Sequence, residues 1–174
     1  SAARLGRPFA PLFNALGGPF RRLGAMLQLA APAPERSIAH VAVAAPQTST
    51  RGGGRVAILK GCAQSVLDPG INQVTENLLA RFGVEIVRPE GEGCCGALVH
   101  HMGRGEDARA FARKNIDVWM REIDNGLDAI LITASGCGTV IKDYGHLLAD
   151  DIDYAAKAAL IASRTLDISE YLAQ

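Results

Sequence analysis

Three short apolar runs, each leading into glycine and cysteine, constrain this chain more than any other feature. "RVAILKGC" begins at Arg55, "VEIVRP" spans Val84 to Pro89 ahead of a glycine-rich loop holding "CC", and "LDAILITAS" spans Leu127 to Ser135 ahead of "GCG". They are aliphatic and β-branched, strand-length, and bounded by turn residues. The third is apolar without alternation, as a strand covered on both faces must be. Helical patterns fill the gaps. "INQVTENLLARFG" puts Val74, Leu78, Leu79 and Phe82 on one face and stops at Gly83. A long helix over 105–125 has Ala112, Ile116, Trp119, Met120 and Ile123 as its stripe, closed by Asn125-Gly126. Further helices are expected after Cys95, after Gly138, and over Tyr154 to Ser163. "TLDIS" reads as an edge strand, and "SEYLAQ" opens a last helix with Ser169 as N-cap. This alternation predicts an α/β domain in three layers, with a parallel sheet of about four strands and helices on both faces. No internal repeat is visible.

That domain is expected over residues 55–174, preceded by a partly helical connector over 1–54. Residues 31–54 are rich in Pro, Ala, Ser, Thr and Gly, a linker composition, and His40 within them is given no role. A short amphipathic helix is expected from Pro19 to Leu29, with Leu23, Met26 and Leu27 sharing a face and Arg21 and Arg22 near its start. It reads as a packed connector in preference to a docking segment. The formal net charge of zero hides an asymmetry: residues 1–55 carry seven arginines and one acid, a balance of +6, which leaves −6 on the remainder. A nucleic-acid binder puts positive charge on its folded part, so nucleic acid is excluded as a partner. No apolar run reaches the roughly 18–20 residues of a membrane span. Without a clean signal peptide, the four cysteines are expected in a reducing compartment, where thiols serve as metal ligands or catalysts more often than as disulfides.

Strand order brings those cysteines together. Cys62 follows the first strand, Cys94 and Cys95 the second, and Cys137 the third. In an open parallel sheet the loops at the carboxyl ends share one edge, so four thiols distant in sequence should meet there. Gly61, Gly93, Gly96, Gly136 and Gly138 flank them, offering close backbone approach and unobstructed N–H groups. N–H···S contacts stabilise an anionic thiolate-ligated cluster. Four thiolates suit an iron–sulfur cluster or tetrahedral zinc, while adjacent thiols also suit disulfide exchange. His100 and His101 are candidates for ligand, proton donor or substrate contact, against an ordinary structural role. His146 and "KDYG" (142–145) read as structural and as exposed helix. "GRGEDA" (103–108) lacks the spacing of a phosphate loop.

Cys62, 31 intervening residues, Cys94-Cys95-Gly96 and then Ser135-Gly136-Cys137-Gly138 together resemble the cysteine-rich CCG domain. That domain occurs in heterodisulfide reductase B subunits, lactate-utilisation proteins and the iron–sulfur subunit of glycolate oxidase. "GCAQSVLDPGINQVTENLLARFGVEIV" and "GCCGALVHHMGRGEDARAFARKNIDVW" are most similar to the first repeat of the glycolate oxidase subunit. The resemblance implies a cytoplasmic electron-transfer role, at the inner face of the membrane with peripheral association. It implies partnership with FAD-containing subunits that oxidise the 2-hydroxy acid. It also implies an upstream ferredoxin-like domain and a second CCG repeat, neither of which is written in this sequence. The implied cofactor is a 4Fe-4S cluster on Cys62, Cys94, Cys95 and Cys137, with Zn as the alternative. Many such domains end in CxxC. Here Val140 holds the last position, which argues against a five-thiolate cluster.

Overall fold

The computed structural model describes residues 7–16, 18–29 and 53–174. Most of the expected linker, including His40, lies outside the described residues. The chain divides into two compact units, Ser1–Val43 and Ala44–Gln174.

In the first unit a 3₁₀ turn, Arg7–Phe9, leads into helix α1, Ala10–Leu16, and helix α2, Gly18–Leu29. The sequence reading finds α2 and misses α1, because Pro11 reads as a breaker. Proline is tolerated in the first turn of a helix, where its N–H has no partner to lose. The Phe13 and Phe20 rings stack with centroids 6.3 Å apart. Of the expected apolar face, Leu23 and Met26 are exposed and Leu27 is half-buried among the described residues.

The second unit is the α/β domain. In chain order it runs β1 (Arg55–Ile58), α3 (Gln64–Leu67), α4 (Gly70–Arg81), β2 (Glu85–Val87), α5 (Ala97–His101) and α6 (Gly105–Asp124). It continues through β3 (Ala129–Ile132), α7 (Ser135–Lys142), α8 (Tyr144–Leu147), α9 (Ala155–Arg164), β4 (Thr165–Asp167) and α10 (Ile168–Leu172). All strand pairs are parallel, in the order β2-β1-β3-β4. Val56 pairs with Ile86 on one side and Ala129 on the other, so β1 is central. Alternate residues of β1 and β3 face opposite sides. Ala57, Leu59, Ile130 and Ile132 pack with Ile116 and Trp119 of α6, Ile141 of α7 and Ile161 of α9. Val56, Ile58, Ala129 and Leu131 pack with Leu79 of α4 and, at the margin, Ile168 and Tyr171 of α10. The three-layer α/β expectation is met.

Three local expectations are corrected. The helix after β3 begins at Ser135 and not beyond Gly138, because the chain leaves the extended conformation at Ala134 and turns at once. Cys137 therefore sits in a helical first turn. The last helix is capped by Asp167, not Ser169. Asp167 is still extended, its Oδ1 accepts the Ser169 amide at 2.8 Å, and Glu170 Oε2 accepts the Asp167 amide at 2.7 Å, a full capping box. Of the four residues expected on one face of α4, Leu79 is separated from the others: it is fully buried, while Val74, Leu78 and Phe82 are exposed. The helix lies over a narrow four-stranded sheet, which has room for one apolar row. Among the described residues no helix is long and apolar enough to cross a membrane.

Candidate functional site

The order β2-β1-β3 makes β1 the strand from which the chain leaves in both directions. Its carboxyl end, with those of its neighbours, forms the crevice of an open α/β sheet. All four cysteines lie there, and none is in a disulfide. Cys62 follows β1 on a turn set by Gly61 at φ +67°, and the Cys94-Cys95 pair ends in Gly96 at φ +85°. A side chain at Gly96 would also press on the Ala108 carbonyl and Phe111 of α6, so this position requires glycine twice over. Cys137 comes up from the first turn of α7.

The four sulfurs influence one another. Cys62 and Cys94 Sγ are 3.3 Å apart, and Cys95 lies close enough to Cys94 and Cys137 for the thiols to shift one another's acidity. Contact with Cys94 raises the Cys62 pKa, helped by partial burial and opposed by the Ala63 amide. The bond to Cys137 and then burial push the Cys95 thiol far up, against the Ala97 amide. The neighbouring Cys95 thiol lowers the Cys137 pKa, opposed by burial and by the charges of Cys62 and Cys94. The Gly96 amide points at Cys94 Sγ at 3.4 Å. Backbone N–H groups at 63, 96 and 97 thus serve three of the sulfurs.

The paired cysteines are held from behind by residues absent from the sequence reading. Asn115 of α6 is fully buried; its Oδ1 accepts the Gly93 amide at 2.8 Å and its Nδ2 donates to the Cys94 carbonyl at 2.9 Å. Tyr144, also fully buried, donates its hydroxyl to the Cys95 carbonyl at 2.7 Å. Burial raises the Tyr144 pKa, which keeps it a neutral donor. This corrects the reading of "KDYG" as exposed at Tyr144, since the break between α7 and α8 turns that side chain into the core while Lys142 and Asp143 stay exposed. Glu92 ties the loop after β1 to helix α6, accepting the Lys60 amide at 2.8 Å and the Trp119 indole N–H at 3.0 Å. Burial raises its pKa, opposed by those two donors. On the β1 side, Gln64, Asn72 and Thr133 bond mutually at 2.5–3.0 Å, and Asn72 Nδ2 reaches the Leu59 carbonyl at 3.0 Å. A signal for Asn115 existed: an amide inside an otherwise apolar helical stripe. Nothing local marked Tyr144.

The other predicted residues divide. Gly93 gives its amide to Asn115, and Gly138 gives its own to the Ala134 carbonyl within α7. Gly136 is exposed beside Cys137. His100 and His101 meet edge to face on α5, their ring centroids 5.8 Å apart, and His100 Nδ1 is buried without a hydrogen-bond partner. Val140 is buried in the core. A cleft of about 500 Å³ opens beside the Cys62 loop, with Lys60, Gln64, Asn72 and Glu92 in its wall.

Among the described residues no three His, Cys, Asp or Glu side chains stand arranged as a shell around a metal ion. The side chains gathered there are nonetheless all thiols, on two glycine-flanked loops and the glycine-flanked first turn of α7, with amides directed at sulfur. That chemistry suits soft, thiolate-bound metals once the thiols ionise and separate.

The CCG cysteine-rich domain family matches residues 56–142. The glycolate oxidase iron-sulfur subunit of Escherichia coli is 42% identical over 129 residues, covering 74% of this chain and 32% of that protein. A probable glycolate oxidase iron-sulfur subunit of Bacillus subtilis is 34% identical, covering 69% of this chain and 26% of that protein. Lactate utilization protein A of Bacillus subtilis is 25% identical over 68% of this chain and 48% of that protein. The chain thus spans a third or less of the two glycolate oxidase relatives. No solved structure matches it.

Proposed function

This chain belongs to the CCG cysteine-rich domain family, and on that footing we propose that it is an iron–sulfur electron-transfer domain of a glycolate oxidase-type complex. One observation carries the reading: four thiols and no other ligand type meet at a single sheet edge, in contact and served by backbone N–H groups. Cys62, Cys94, Cys95 and Cys137 would hold a four-iron cluster, which when bound supplies one-electron transfer. The chain's own part is preorganisation. Asn115 and Tyr144 take the Cys94 and Cys95 carbonyls into the core. That leaves the sulfurs and amides on the crevice side, where negative charge is stabilised by dipoles that need not reorganise. Hydroxy-acid oxidation belongs to FAD-containing partner subunits, with a ferredoxin-like domain and a second CCG repeat elsewhere in the full subunit. The complex works in the cytoplasm, against the inner face of the membrane.

Iron, sulfide and zinc content of the anaerobically purified chain, with its visible spectrum before and after dithionite, tests this reading. About four irons and four sulfides per chain with a bleachable absorbance are expected. Stoichiometric zinc without colour would demote the domain to an assembly module. A second reading rests on the 3.3 Å contact of Cys62 and Cys94. In it the two thiols give two electrons and two protons to a disulfide substrate and become a disulfide themselves. A colourless, metal-free protein that reduces a model disulfide and then loses two free thiols would favour it.

A further inference from the structure

Helix α4 carries an apolar row that the domain does not use. Ile71, Val74, Leu78 and Phe82 follow one another at intervals of three, four and four residues, which is one continuous line along a helix. They are 41%, 44%, 36% and 47% exposed. Val66 and Leu67 of α3 add exposed apolar surface just upstream. Elsewhere on the helix Thr75 and Leu79 are buried, and Asn72, Gln73 and Glu76 line the cleft. A contiguous apolar surface of this kind marks a contact site more often than an accident of composition.

We propose that this row is a self-association surface, pairing two copies of the chain about a twofold axis with their α4 helices antiparallel. The row is complementary to itself in that direction. Reversal brings Ile71 opposite Phe82 and Val74 opposite Leu78, so a smaller side chain meets a larger one at every step. The charges agree. Asp68 precedes the helix and Arg81 ends it. Arg81 makes no ion pair among the described residues, and Asp68 Oδ1 accepts only the Gly70 amide, at 3.1 Å. In the antiparallel pair each Arg81 lies within about 5 Å along the axis of the other copy's Asp68, at about 1.5 Å rise per residue and within reach of an arginine side chain. A parallel pair would instead set like charges together. Isologous contacts of this type are the commonest way a chain associates with itself. A single helix face is small for an interface, so the dimer is weak and reversible. The row faces away from the cleft side of α4, and pairing leaves the cysteine crevice open.

Sedimentation of the 174-residue chain from micromolar to tenth-millimolar concentration tests this. A reversible monomer–dimer equilibrium is expected. Leu78→Arg should weaken it at least about tenfold while circular dichroism stays unchanged. Arg81→Asp and Asp68→Arg should each weaken it, and an equimolar mixture of the two variants should regain part of the lost dimer. A chain monomeric throughout, or a dimer indifferent to Leu78→Arg, overturns the proposal. Failure of the charge-swapped mixture to recover overturns the antiparallel register.

Discussion

The two faces of the sheet do different work. On the face covered by α6, α7, α8 and α9, the large side chains Trp119, Tyr144, Ile116 and Ile141 are fully buried, and polar groups inside that core reach out to the cysteine loops. On the face covered by α4 and α10, Leu79 is the one fully buried residue that α4 contributes, and a row beside it stays open. A rigid face fixes a site; a thin face leaves surface for contact. The cysteines are positioned from the first, while the self-association surface lies on the second.

The comparison breaks most visibly at Trp119. Trp119→Ala should cost about 3–5 kcal/mol, since it empties a packed site and frees Glu92 from its indole partner. Urea denaturation measures it. On the thin face, Leu79→Ala should cost about 2–3 kcal/mol while its neighbour Leu78→Ala stays within about 0.5 kcal/mol in the monomer. Equal effects at 78 and 79 would erase the distinction drawn along α4. Asn115→Leu removes both partners of the Gly93 amide and Cys94 carbonyl, and Tyr144→Phe that of the Cys95 carbonyl. Each should cost about 1–3 kcal/mol and change thiol alkylation rates at Cys94 and Cys95, which pure loss of packing would not do selectively. Asp167→Ala should cost about 1 kcal/mol through the lost cap.

The smallest effect is with pH. The Ser169 hydroxyl and amide hold Asp167 below the ordinary aspartate value, and Lys142 does the same for Glu170. A depressed carboxylate adds stability above its unfolded pKa and loses it as pH falls through the folded one. The cap contribution should therefore be intact at neutral pH and fade below about pH 4. Asp167→Asn should shift that acid limb; an unchanged limb would remove the cap from the account.

The strand positions, their parallel arrangement and the gathering of Cys62, Cys94, Cys95 and Cys137 at one edge were legible because they depend on short-range pattern and on one topological rule. Helix α1 and the Asp167 cap were not read correctly, since a proline and a serine each had two allowed positions. The α4 face was misassigned for a different reason. An apolar period says that residues share a side, not how wide the surface beneath them is.

By itself, then, the sequence determined the α/β alternation and the placing of Cys62, Cys94, Cys95 and Cys137 after three successive strands. Each is a property of residue type and order. The tertiary structure alone decided that Asn115 and Tyr144, 29 residues apart in sequence, grip adjacent carbonyls of one cysteine pair. It also decided that the Ile71 row meets solvent. Both outcomes turn on which helix lies over which part of a narrow sheet. That is settled by packing between distant segments, and no local stretch of the chain encodes it.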